Sequence, residues 1–120
     1  MNTDLNFLKH AITSLENNHE FMAHTLKKYR DFEQISEPAM LDLLGCSIND
    51  YYKLAFCKMP DSGKSDYLLR INTISEYTNI ETEKLLRLIK QVSITLSFDQ
   101  QQRAFYLIAQ EMNMHKKNNA

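Results

Sequence analysis

The sequence predicts an all-α domain of five or six helices, and three observations favour that fold class. Apolar residues recur at helical spacing along most of the chain. Only two Gly and two Pro occur among 120 residues, which disfavours turn-rich β folds. With 43% hydrophobic residues, a chain of this length can bury a core without a disulfide or a metal ion. We therefore expect a single α-helical domain over residues 1–120, with long N- and C-terminal helices around a compact middle.

The first 35 residues carry the strongest periodicity. Steps of three and four residues place one stripe on a helix: Leu5, Leu8, Ile12, Leu15, His19, Met22, Leu26 and Tyr29. Thr3 or Asp4 can cap its start, and Asn17-Asn18 is a weak point, so residues 1–35 form one long helix or a helical hairpin. His19 falls on the stripe, which predicts a core or interface histidine. The stripe is a candidate homodimer face, with packing against the C-terminal helix as the alternative.

The middle of the chain, residues 36–95, contains all four Gly and Pro residues and several helix start and stop signals. Ser36-Glu37-Pro38 is typical of a helix start, and Gly45 is the residue expected where a helix ends in a left-handed turn. Ser47 or Asn49 can cap the next helix, and Asn79 resembles Gly45 as a stop signal. The predicted helices cover residues 38–44, 47–58, 66–78 and 81–92.

The C-terminal region combines a helical pattern with a short alternating stretch. Residues 92–98 alternate apolar and polar side chains, so we expect a helix end followed by an extended link. A separate C-terminal helix is predicted over 96–116, with Phe105, Ile108 and Met112 on one face. Residues 116–120 have the composition of a frayed tail.

Residues 40–54 and 74–88 superimpose as a weak internal repeat, and each copy is a helix, a tight turn with one apolar residue and a second helix. This unit resembles the helix-turn-helix of DNA-binding repressors. In the second copy Ser75 is the small residue of the first helix, Asn79 makes the turn and Ile80 is the apolar plug. The middle of the chain is thus a helix-turn-helix-like core.

The resemblance to repressors implies DNA as a partner, contacted by the outer face of the last helix of the second copy. Four polar side chains there could reach phosphates or base edges: Lys84, Arg87, Lys90 and Gln91. Glu81 and Glu83 precede them and would face phosphate, which opposes DNA binding.

The segment Met22-Ala23-His24-Thr25-Leu26-Lys27 resembles the phosphoacceptor segment of histidine phosphotransfer domains, which are all-helical and of similar length. The resemblance implies that His24 accepts a phosphoryl group on the outer face of its helix. Lys27 and Lys28 lie on the same face, where they could stabilise the phosphate. Lys28 stands where that family has Gly.

Composition and motifs give weaker indications of the remaining functional classes. The formal net charge of −1 provides no overall field for nucleic acid or anionic membrane, and no apolar run is long enough to cross a bilayer. With no secretory pattern, we expect a cytoplasmic protein with reduced Cys46 and Cys57. Glu16 and His19 form a single Glu-x-x-His unit, where di-iron sites need two, so we predict no metal and no cofactor. No Ser/His/Asp or paired-carboxylate arrangement stands out in the sequence, so we also predict no enzymatic activity.

Three functions therefore remain as alternatives. The leading prediction is a small regulatory protein that contacts DNA or other proteins through helix surfaces. The second is phosphotransfer through His24. The third is a protein–protein adaptor or homodimer with no role in nucleic-acid binding.

Overall fold

A computed structural model describes the backbone of residues 2–118 and the side chains of residues 5–113. Within that range the protein has six helices: α1 (Asn2–Leu15), α2 (Met22–Glu33), α3 (Glu37–Leu44), α4 (Ile48–Phe56), α5 (Tyr67–Thr78) and α6 (Thr82–Asn118). The extended pairing in this part of the chain is one isolated β-bridge, between Phe21 and Lys58. The all-α class and the predicted number of helices are confirmed. The predicted caps Thr3 and Asp4 and the predicted tail 116–120 lie outside the described side chains.

The N-terminal region is a helical hairpin, because residues 16–21 form a turn between α1 and α2. The turn is held by the Glu20 backbone N–H, which donates to Asn18 Oδ1 at 3.0 Å, and by the Met22 N–H, which donates to the Cys57 carbonyl at 2.8 Å. His19 is exposed in this turn. A core position for His19 was predicted wrongly, because the chain leaves the helical register before reaching that residue, while an interface role stays a prediction.

Local capping explains the boundaries of α3 and α4. The Ser36 hydroxyl accepts a hydrogen bond from the Ala39 N–H, and the Ser47 hydroxyl accepts one from the Asp50 N–H. Gly45 ends α3 with a φ of 65°, in the left-handed region that favours glycine. The predicted start and stop signals in this segment are confirmed.

Two pairs of consecutive helices are joined by tight turns, α3–α4 at Gly45 and α5–α6 at Asn79, which has a φ of 57°. After the second turn Ile80 is fully buried, and the Ser75 hydroxyl donates a hydrogen bond to its carbonyl. At the equivalent place in the first turn Cys46 is half-buried. Both turns thus contain a residue in the left-handed region, while the predicted helix-turn-helix units and a repressor-like role for either pair stay predictions.

The core lies where α2 packs against α4 and α6, with α1 on α2 and α4, and α5 on α4 and α6. Its largest fully buried side chains come from five helices and from the turn after α5: Met22, Leu26, Met40, Leu44, Tyr51, Leu54, Ile71, Thr78, Ile80 and Leu85. Of the N-terminal stripe, Ile12, Met22 and Leu26 are buried in this body, and Leu5, Leu8, Leu15 and Tyr29 are half-buried against it. The α2 part of the stripe packs on α6, as the alternative predicted, but on its first half; residues 97–113 of the predicted C-terminal helix 96–116 are exposed throughout.

Helix α6 is continuous across the stretch predicted to be an extended link, so the prediction of a separate C-terminal helix was wrong. No Gly or Pro interrupts this segment, and Leu96 continues the helical spacing from Val92. The Thr95 hydroxyl returns a hydrogen bond to the Gln91 carbonyl at 2.8 Å, within the helix. With 37 residues, α6 is about 55 Å long at the usual rise per residue. This length explains the 68 Å long axis of the molecule.

Candidate functional site

The second half of α6 leaves the body of the protein without tertiary packing. Every described residue from 97 to 113 is exposed, and we call this segment the arm. It includes several large apolar side chains: Phe98, Phe105, Tyr106, Leu107, Ile108 and Met112. A helix this apolar and this uncovered is typical of an interaction surface.

One stripe of α6 follows alternating steps of four and three residues, and we call it the arm seam: Ile94, Phe98, Gln101, Phe105, Ile108 and Met112. Its five apolar members are between 53% and 72% exposed. This spacing is the heptad pattern of helices that pair along a shared seam. The predicted common face of Phe105, Ile108 and Met112 is its C-terminal part.

The arm seam points away from the body. The residues that anchor α6 in the core include Leu85, Ile89 and Val92, all buried. At about 100° per residue, the arm seam lies roughly on the opposite side of the helix from these anchors. A second helix could therefore approach the seam without meeting the core of the body.

A cleft of about 300 Å³ lies where the ends of α2 and α3 meet the first half of α6. We call it the α2–α3–α6 cleft, and its lining residues are Tyr29, Glu33, Leu43, Leu44, Lys84, Arg87, Leu88 and Gln91. Three of the four predicted DNA contacts, Lys84, Arg87 and Gln91, thus share one cavity. Lys90 is exposed on α6 outside the cleft lining.

The cleft carries two cationic side chains and one carboxylate. Lys84 is half-buried, and its Nζ lies 2.9 Å from the position a Cβ on Gly45 would take. Within the described part of the chain, neither the Lys84 nor the Arg87 side chain forms a salt bridge or a hydrogen bond. Burial, and then the charge of Glu33, raise the pKa of the Tyr29 phenol, which therefore stays protonated as a hydrogen-bond donor.

His24 lies in the first turn of α2, where it is half-buried rather than fully on the outer face. Its Nδ1 donates a hydrogen bond to the Glu16 carbonyl at 3.0 Å, because the turn after α1 folds beside it. Lys27 forms an ion pair with Asp31 at 3.2 Å. One ring nitrogen of His24 is thus held by the backbone, and its role as a phosphoacceptor stays a prediction.

A polar network that no sequence pattern indicates links three segments of the body. Arg30 Nη2 lies 2.7 Å from Glu16 Oε2, and Arg30 Nη1 donates to the Tyr51 hydroxyl. Burial lowers the pKa of the Arg30 guanidinium, but the charges and hydrogen bonds of Tyr51 and Glu16 outweigh it and hold that pKa above its usual range. Burial also raises the pKa of Tyr51 to about 12. The network links α2 to α4 and to the turn after α1.

The two cysteines are free thiols, and both are half-buried. Burial raises the pKa of both thiols, and near Cys46 the charge of Asp50 raises it further while Lys84 opposes the rise. A raised pKa keeps a thiol protonated at neutral pH and so disfavours nucleophilic chemistry.

Comparison with known proteins found no matching family, no similar curated protein and no similar solved structure. No group of three or more His, Cys, Asp or Glu side chains able to hold a metal ion occurs among the described residues. None of the helices, as far as they are described, has both the length and the apolar character needed to cross a membrane. The arm and the α2–α3–α6 cleft are the two surface features of the described residues that combine accessible apolar area with a defined shape.

Proposed function

We propose that the protein is a non-enzymatic interaction protein that forms a homodimer through the arm seam. One observation carries this proposal: five large apolar side chains form a single heptad stripe and are more than half exposed on a helix that has left the body. A helix with an apolar stripe of this kind is stable in water when a partner helix covers the stripe.

The residues beside the arm seam favour a second copy of the chain as the partner. Six described residues flank the seam, of which five are uncharged (Thr95, Ser97, Gln102, Ala104 and Ala109) and one, Glu111, is charged. Two copies can therefore meet without like charges facing each other along most of the seam. The symmetry of such a pair requires one self-complementary surface, which the seam provides.

The exposed area is sufficient for a dimer of modest stability. With areas of about 200 Å² per large side chain, the exposed seam offers about 600 Å² per copy. A pair would bury about 1,200 Å², which is the lower limit for specific protein interfaces. We therefore expect a dimer that dissociates on dilution.

Gln101 favours a parallel, in-register pair. In that arrangement each Gln101 faces its counterpart, and the two amides can hydrogen-bond across the interface. In an antiparallel pair centred on the seam, Gln101 would face Phe105 and lose that partner. The parallel pair also places the two bodies on the outer sides of the paired helices, because the seam points away from the core.

Light scattering coupled to size exclusion tests the dimer. We expect the wild type at high concentration to have twice the chain mass of 14.1 kDa, and Phe105→Glu to have the mass of one chain. Leu107→Glu is the matched control, because Leu107 is exposed on the same helix but lies off the seam. A monomeric wild type, or equal effects of the two substitutions, would contradict the proposal.

DNA binding is the second candidate, and it rests on Arg87 and Lys90. Both are exposed on α6, and neither forms a salt bridge in the described part of the chain. A dimer would present two such pairs, although Glu83 in the first turn of α6 opposes phosphate. Fluorescence anisotropy with duplex DNA should show affinity that falls steeply with salt and is weakened by Arg87→Ala and by Lys90→Ala. Undetectable or salt-insensitive binding would exclude this function.

A further inference from the structure

The α2–α3–α6 cleft has the size and the lining residues of a site for a small ligand. Its volume of about 300 Å³ is at the lower end of the range found for ligand pockets. Leu43, which is 46% exposed, gives the cleft its accessible apolar wall together with the buried Leu44 and Leu88, and five polar side chains from α2 and α6 complete the lining. Such a mixture binds a ligand by its apolar body and orients it by its polar end.

The charges of the residues that line the cleft indicate which class of ligand it binds. Lys84 and Arg87 lie one turn apart on α6, so both cations face the same space, and Glu33 on α2 leaves the lining with one net positive charge. A single negative charge balances this lining, whereas a dianion or a cation would not. Gln91 and the protonated Tyr29 supply further hydrogen-bond donors to an anionic group.

We propose that the α2–α3–α6 cleft binds a monoanion with an apolar body, of the class of medium-chain carboxylates. The carboxylate lies between Lys84 and Arg87, and the hydrocarbon chain lies mainly on the exposed side chain of Leu43. The site is formed within one copy of the chain, so it does not depend on the proposed dimer.

Isothermal titration calorimetry with sodium octanoate tests this site on the full chain, with octanamide as the uncharged analogue. We expect saturable binding of octanoate and much weaker binding of octanamide. Arg87→Gln should lower the affinity about tenfold or more, because a charge-assisted hydrogen bond is lost. Lys90→Gln is the matched control, with the same change of charge on the same helix outside the cleft, and it should leave the affinity unchanged.

Two further variants distinguish binding in the cleft from binding elsewhere on the protein. Leu43→Asp places a carboxylate in the half-exposed apolar wall and should abolish octanoate binding, with the fold checked by circular dichroism. Phe105→Glu disrupts the arm seam and should leave octanoate binding intact, which separates this site from the dimer interface. The proposal is overturned if octanoate does not saturate, if octanamide binds equally well, or if Lys90→Gln or Phe105→Glu weakens binding as much as Arg87→Gln.

Discussion

Replacing Arg30 by methionine tests how strongly the polar network among α2, α4 and the turn after α1 stabilises the body. Methionine keeps an unbranched apolar stem but removes the guanidinium that contacts Glu16 and Tyr51. The side chains of Arg30 and Glu16 are only 18% and 14% exposed, so the carboxylate left behind would be poorly solvated. Leaving the Glu16 carboxylate unpaired and largely buried lowers the free energy of unfolding.

We expect Arg30→Met to lower the free energy of unfolding by about 2–4 kcal/mol, slightly below the usual cost of breaking a fully buried pair. Urea denaturation followed by far-ultraviolet circular dichroism measures this loss. The experiment is best done in the Phe105→Glu background, because self-association would otherwise make stability depend on protein concentration. Adding Glu16→Gln should restore part of the lost stability, since an amide is cheaper to leave unpaired than a carboxylate.

Lys27→Met is the control for this experiment. It breaks the ion pair with Asp31, in which the side chains of Lys27 and Asp31 are 42% and 56% exposed. Because this pair is exposed, the free energy of unfolding should fall by less than about 1 kcal/mol. If Arg30→Met costs no more than Lys27→Met, the buried network does not stabilise the fold as we infer.

Three other predictions address a turn, a buried phenol and the histidine. Gly45→Ala should destabilise the protein by about 1–2 kcal/mol, because the left-handed turn is strained for alanine; unchanged urea stability would argue against this turn. Tyr51 has a pKa of about 12 in the folded state, against an ordinary value of 10.0. Because the folded state holds the phenol proton more tightly than the unfolded state, this proton contributes to the free energy of unfolding. The contribution is complete below pH 10 and is lost as the pH rises through 12, by about 2–3 kcal/mol in total. Tyr51→Phe should show a smaller loss of stability over that interval, and an equal loss would refute the assignment. If His24 accepts a phosphoryl group, the wild type should carry acid-labile phosphate that His24→Gln lacks; phosphate on both would rule out this acceptor.

Helix boundaries in the middle of the chain could be predicted because their causes are local. Ser36, Gly45 and Ser47 each act on backbone groups within a few residues, so the sequence alone contains the relevant chemistry. The division between α1 and α2 could not be decided in the same way, since Asn17-Asn18 weakens a helix without determining how the chain continues.

Features that depend on distant contacts could not be predicted. The alternation in residues 92–98 fits either a strand or a helix, and the choice depended on whether a partner strand existed elsewhere. The contacts among Glu16, Arg30 and Tyr51 join three separate segments, and no spacing rule predicts them. Likewise, the periodicity of the arm predicts an apolar face, but it does not predict whether the rest of the chain packs on that face.

The most direct test of the homodimer is hydrogen exchange of residues 97–113 as a function of protein concentration. A helix without tertiary contacts opens often and exchanges its amides rapidly. If a second copy covers the arm seam, protection of these amides should rise with concentration in the wild type and stay low in Phe105→Glu. Rapid exchange at every concentration in both proteins would mean that no second copy covers the arm.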